Sequence, residues 1–303
     1  METRVGPGAG ITSHEELIES TGAHRLLVRT WQPARDARAS LAIVHGFHSH
    51  SGYYERCAGV LARAGIATFA LDLRGRGRSS GTRCFIGRFG EYVDDIDALV
   101  ATIRTRAPGL PLFILGHGAG GVVACLHALA NPRTLAGLIC ESVALDMPTS
   151  AAEVQLLKAL AFVAPRLPVL RLRSSQFSRD EQAVERMNGD PLVRRERQPA
   201  RTVVELHRAS SRLRASLEDI TLPLLILHGS ADSVALPSGS EFFHEHAGSR
   251  DKTLQIFEGY YHDLINDRGH QHVVDRIYEW IAARLGPDRD RAQIGISYIN
   301  NGS

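Results

Sequence analysis

Apolar positions along the chain fall into two rhythms. Short unbroken runs such as LAIVHG, LFILGH and PLLILHG predict strands buried on both faces of a parallel sheet. With the β-branched stretches beside them they give strands at His24–Trp31, Ser40–His45, Ile66–Asp72, Leu112–Gly116, Ala136–Glu141, Leu224–His228 and Thr253–Phe257. Between these lie helical patterns at Tyr53–Ala64, Phe89–Arg106 and Ala119–Ala130. Near the end, Val273, Ile277, Trp280, Ile281 and Leu285 recur at helical spacing. Strands alternating with helices at this interval predict a doubly wound α/β fold with a mostly parallel central sheet. One stretch breaks the alternation. From Met147 to Glu218 strand signals vanish in favour of helical ones with several Pro and many Arg, which reads as a helical lid inserted between two parts of the core, 11–146 and 219–285. Met1–Gly10 and the tail 286–303 read as segments outside the core, their ends free to move.

Composition narrows the function. Thirty-five Lys plus Arg nearly cancel 33 Asp plus Glu, for a formal charge of +2, so no nucleic-acid partner is expected. The densest basic patches, Arg171–Arg173 and Arg194–Arg197, read as solvated helix faces. No apolar segment approaches the ~18 residues of a membrane span and no signal-peptide core is seen, which predicts a cytoplasmic protein without membrane insertion. The cysteines Cys57, Cys84, Cys125 and Cys140 lie far apart, with Cys125 and Cys140 in apolar stretches as core residues, so no disulfide scaffold or thiolate metal site is expected.

Three places carry chemistry. In FILGHGAGG, a buried strand runs into Gly116-His117-Gly118-Ala119-Gly120 and straight on into a helix. That is the frame of a nucleophile elbow, G-x-S-x-G, with glycine at the nucleophile position. A phosphate-binding glycine turn is the competing reading, but the spacing matches neither G-x-G-x-x-G nor a P-loop with Lys. In LPLLILHGSADSVAL a strand ends in a loop holding Asp232, which alone reads first as a turn or cap residue. In GYYHDL, after the last strand, stands His262, which alone reads as a solvated bystander. Elbow, then acid, then histidine is the chain order of a hydrolase triad, and the order raises all three above their separate readings.

With these residues and the segments IVHGFHSHSGYYER, LDLRGRGRSSG, FGEYVDDIDALV, GHGAGG, DPLV (Asp190–Val193), LILHGSADSV and YYHDLIND, the chain resembles the monoacylglycerol lipase/lysophospholipase branch of the α/β-hydrolases, related to the serine aminopeptidases. The resemblance implies Asp232 as triad acid, His262 as general base, the backbone N–H groups of Phe47 and Ala119 as oxyanion hole, and a pocket that includes His48 and His117. It implies an acyl substrate such as a monoglyceride or lysophospholipid, and the apolar stretch Val154, Leu157, Leu160, Ala161, Val163, Leu167 and Leu170 reads chiefly as lid packing. Three residues depart from the pattern: Gly118 for serine, His48 for a small residue, and Arg76 for histidine. His45, His48 and His50 form an H-x-x-H-x-H run, but no Cys or carboxylate lies near in sequence to complete a metal set, and no cofactor is expected.

Serine hydrolysis needs the hydroxyl that Gly118 lacks. Three readings follow. A His–Asp pair working without a covalent step, by activating water or abstracting a proton, is placed first, because the departures at His48 and Arg76 lean toward a natural variant. An ordinary serine ester hydrolase with an introduced Ser-to-Gly change is second. A pocket that binds a small apolar ligand without turnover is third.

Overall fold

The unbroken apolar runs form the centre of a nine-stranded sheet in a computed structural model that describes residues 2–4 and 11–286. Its strands are β1 (Glu2–Arg4), β2 (Ile11–Ser20), β3 (His24–Pro33), β4 (Ala39–Val44), β5 (Ile66–Leu71), β6 (Leu112–His117), β7 (Gly137–Glu141), β10 (Leu224–Gly229) and β11 (Lys252–Phe257), with β8 (Pro168–Leu170) and β9 (Gln198–Pro199) forming a separate antiparallel pair. The order in the large sheet is β1-β2-β3-β5-β4-β6-β7-β10-β11. From β5 to β11 every pairing is parallel, whereas β1, β2 and β3 pair antiparallel at the other edge. Every residue of β4, β5, β6, β7 and β10 is buried, because helices cover both faces.

One face carries α2 (Gly90–Arg106) and α3 (Ala119–Ala130), whose Tyr92, Ile96, Leu99, Val122 and Val123 pack with Val44, Phe69 and Ile114. The other carries α1 (Glu55–Arg63) and α8 (His270–Ala282), where Cys57, Leu61, Ile277 and Trp280 meet Ile43, Phe113 and Leu225. All four cysteines are free and buried, with the Cys125 and Cys140 sulfurs 3.5 Å apart. No helix among the described residues is long and apolar enough to cross a membrane.

Between β7 and β10 the chain leaves the sheet. This insertion holds α4 (Ala151–Val163), α5 (Glu181–Gly189) and α6 (Ala200–Arg214) together with the β8/β9 pair; α7 (Pro237–His246) follows β10. α4 opens on a capping box between Ser150 and Glu153. Leu157, Leu160 and Ala161 of α4 pack on Ala200 and Val204 of α6. The remaining apolar side chains do not: Leu156, Phe162 (88% exposed), Val163 and Leu167 face outward, so lid packing accounts for only part of that stretch.

Several expectations change. β2 was not expected, because its sequence ITSHEELIES is half-exposed and mixes polar with apolar positions instead of forming an apolar run. Within the predicted mobile N-terminus, Glu2–Arg4 pair with Ser13–Glu15, and the rest of Met1–Gly10 lies outside the described residues. Of the tail 286–303, only Gly286 is described; its carbonyl accepts a hydrogen bond from Arg38. The insertion also contains the short strands β8 and β9 where none were expected. Finally, Arg171–Arg173 and Arg194–Arg197 lie in no helix. They occupy the loop after β8 and the turn before β9.

Candidate active site

β6 enters the sheet's carboxyl edge and turns into α3 within one residue, Gly118, at φ 55° and ψ −118°. Close approach dictates the glycines on either side. A methyl group on Gly116 would meet the Gly120 carbonyl oxygen at 2.5 Å, and one on Gly120 would meet the carbonyl oxygens of Val44 and His45 at 2.3 and 2.5 Å. Gly118 is different: a methyl group there would meet only an imidazole, with Nε2 of His262 at 2.9 Å. Two backbone hydrogen bonds brace the turn, Gly118 N–H to Glu141 O and Ala144 N–H to Gly118 O.

Asp232 lies in the loop after β10. One carboxylate oxygen accepts the N–H groups of Val234 and Ala235 at 2.7 and 3.1 Å, so the turn role read from the sequence is real. The other oxygen faces Nδ1 of His262 at 2.7 Å and Nε2 of His228 at 3.1 Å. Burial pushes the Asp232 carboxyl up, but the two histidines outweigh it through charge and hydrogen bonding and hold the group well below the usual carboxylate range. With its partner ionised, the His262 ring is oriented with Nδ1 toward Asp232 and Nε2 toward Gly118. The ring is buried and stands perpendicular to that of Phe177, with centroids 5.0 Å apart.

A cleft of about 210 Å³ opens above the turn. Phe47, Ala119 and His262 share its wall with Met147, Leu172, Val203 and Leu206 from the insertion and its approaches, so the lining is largely apolar. Ala119 is the first residue of α3, and its N–H has no acceptor within the helix. The helix dipole adds to that N–H where negative charge would collect.

Two predicted pocket residues lie elsewhere. His117 is fully buried and does not line the cleft; its Nε2 donates to the His262 carbonyl oxygen at 3.2 Å, and burial, reinforced by the nearby His262 ring, holds it neutral well below the usual imidazole range. His48 lines a second, adjoining cavity. The H-x-x-H-x-H run does not converge either. Nε2 of His45 accepts the Leu73 N–H, Nε2 of His48 contacts Ser174, and Nε2 of His50 pairs with Asp190 at 2.8 Å.

Two carboxyls behind His262 were not anticipated. Glu141 at the end of β7 and Asp263, with His117, place ligand-type atoms within 4.8 Å of one another in the core, a set with the donors to hold a cation. Burial, with Asp263 close by, pushes Glu141 well above the carboxylate range, and burial pushes Asp263 up to about 6. The pair therefore holds a proton in the core. Asp263 follows the histidine in YYHDLIND, which was the available signal. Arg76 is also unexpectedly central. Its guanidinium is fully buried, 4.0 Å over the Phe47 ring, and donates to Glu196, Gln198 and the Tyr92 hydroxyl.

A mostly parallel sheet whose strand-to-helix elbow, late acid and final histidine meet at one carboxyl edge defines an α/β-hydrolase. The chain belongs to the serine aminopeptidase, S33 family, whose model matches residues 35–269. It is 35% identical to the monoglyceride lipase of Homo sapiens over 273 residues, covering 88% of this chain and 90% of that one. It is 30% identical over 279 residues to the monoacylglycerol lipase of Mycolicibacterium smegmatis, covering 90% and 99%. The crystal structure of Paleococcus ferrophilus monoacylglycerol lipase superposes with a TM-score of 0.77 at 29% identity, covering 86% of this chain and 99% of that one.

Proposed function

We propose that this protein hydrolyses a small acyl ester by direct attack of water, with no acyl-enzyme intermediate. The observation that carries the reading is the position of His262: Nε2 stands over the side-chain-free Gly118, Nδ1 is tied to an ionised Asp232, and the residue lies at the wall of the cleft that Phe47 and Ala119 share. Water in the space above Gly118 gives a proton to Nε2 as its oxygen bonds to the ester carbonyl carbon. The N–H groups of Phe47 and Ala119 take the charge that develops on the carbonyl oxygen. As the tetrahedral intermediate collapses, the C–O bond to the alcohol breaks, Nε2–H returns its proton to the leaving oxygen, and acid and alcohol are released. Asp232 stays ionised throughout and steadies the imidazolium. The apolar lining and the acyl-glycerol substrates in the names of the relatives support a single-chain acyl ester.

The test is hydrolysis of 1-decanoylglycerol by the full chain. His262→Ala is expected to lose about 10²-fold or more of the rate, the ordinary range for a general base. A fluorophosphonate should leave the protein unlabelled. The absence of any His262-dependent turnover would overturn the reading.

A second reading, a serine ester hydrolase lacking only its serine, is favoured by the Gly118 backbone. It holds a conformation that costs an ordinary side chain ~1–3 kcal/mol, as a nucleophile elbow does.

A further inference from the structure

The second cavity adjoins the acyl cleft and shares Arg171 and Leu172 with it. It has a volume of about 150 Å³, and apart from Leu172 its lining residues are polar: Arg171, Arg173, Arg194, Ser174, Ser175, Asn188 and His48. Two basic patches separated in sequence, one after β8 and one before β9, thus meet around one space. Among the described residues these three arginines have no ion-pair partner. The acids close at hand are already committed: Glu196 to Arg76 and to the His48 N–H, Asp190 to His50 and the Tyr53 hydroxyl. The three arginines therefore border the cavity with no carboxylate paired to them.

His48 is the most telling of these groups. It is 4% exposed, and its Nε2 contacts the Ser174 hydroxyl while its Nδ1 is buried with no partner. A buried, unpaired ring nitrogen costs free energy. His48 also holds a left-handed backbone, φ 58°, unusual for a non-glycine residue and typical of functional positions. Its ring packs on Phe177 at 5.3 Å, and Phe177 in turn packs on His262. The cavity is thus one aromatic ring away from the imidazole that faces the acyl cleft.

We infer that this cavity seats a phosphate monoester, so that the ligand is a single-chain acyl amphiphile with its chain in the large cleft and its phosphate on Arg171, Arg173 and Arg194. Guanidinium groups recognise phosphate through paired, charge-assisted hydrogen bonds. Two hydroxyls and an amide supply neutral partners for the oxygens that remain. The inference rests on the acyl reading above for the chain's position, but not for the phosphate's.

The experiment is calorimetric titration of the full chain, below micellar concentrations, with 1-decanoylglycerol 3-phosphate, 1-decanoylglycerol and glycerol 3-phosphate. The phosphate amphiphile is expected to bind about tenfold or more tighter than the neutral one at low salt, as charge-assisted bonds imply. The preference should shrink as ionic strength rises. In the Arg173→Ala/Arg194→Ala double variant it should vanish while affinity for 1-decanoylglycerol is retained; both residues are exposed and line only the second cavity. Equal affinities, or a preference that survives the double variant, would overturn the inference. If neither amphiphile binds but glycerol 3-phosphate does so in an arginine-dependent way, the anion seat stands and the acyl reading fails. If none of the three ligands binds, the seat itself falls.

Discussion

Nε2 of His262 lies 2.9 Å from the point a Cβ on Gly118 would occupy, nearer than unbonded carbon and nitrogen settle. The imidazole tip borders the space a nucleophile's side chain would fill, and only that one ring has to yield if a side chain returns. Gly118→Ser should therefore fold, gain ester hydrolysis and become labelled by a fluorophosphonate. Gly118→Ala should fold and lose turnover, because its methyl group displaces the attacking water. Both variants should melt lower than the parent by ~1–3 kcal/mol of backbone strain. An unlabelled Gly118→Ser protein with unchanged melting would contradict the elbow geometry.

Gly120 offers the opposite case. A methyl group there strikes the backbone of β4 and the residue after it, which cannot rotate away. Gly120→Ala is expected to reach or exceed the ~3 kcal/mol upper end of ordinary overpacking. Chemical denaturation of Gly118→Ala and Gly120→Ala side by side is the measurement, and equal losses would mean that the strand–helix contact is softer than described.

Asp232 is held ionised in the fold below its ordinary range. A depressed carboxyl contributes stability that is present above its unfolded pKa, near 3.8, and is lost as pH falls below it. Asp232→Asn should thus destabilise the protein at neutral pH, with the difference from the parent narrowing below about pH 4. Hydrolysis should fall by orders of magnitude, since a neutral amide does not stabilise the imidazolium. A variant with near-parental turnover would show that His262 works without its acid.

Asp263 has the reverse sign. Its folded value near 6 exceeds the ordinary 3.8, so the stability tied to its proton is complete below about pH 3.8 and is lost as pH rises through 6. Asp263→Asn removes that loss. The variant should gain on the order of 2–3 kcal/mol relative to the parent on going from pH 4 to pH 8. Parallel melting curves for parent and variant across that range would refute the buried-proton assignment.

What could be read before the structure follows from where information sits. LAIVHG and LFILGH are visible as strands because both of their faces are buried, whereas β2 lies at a half-exposed edge and leaves no apolar run. Asp232 and His262 were legible because each follows a strand in a fixed order around the elbow. Glu141 and Asp263 were not, since a carboxyl at the end of a strand looks the same in sequence whether it is solvated or sealed against another acid. Arg171, Arg173 and Arg194 looked like solvent-facing charge. Their convergence depends on the path of the chain between residues 171 and 194, which no local pattern encodes.

Arg76 has a mechanical consequence for the insertion. Its charge is enclosed by Phe47 and Tyr92 of the core and by Glu196 and Gln198 just ahead of α6. Lifting residues 196–198 would strand a cation in a dry cleft, and breaking a buried pair of this kind costs about 3–5 kcal/mol. α4 leans instead on α6 through Leu157, Leu160 and Ala161, with Phe162 and Val163 standing in solvent. The insertion is thus riveted to the core along one margin, beside Phe47.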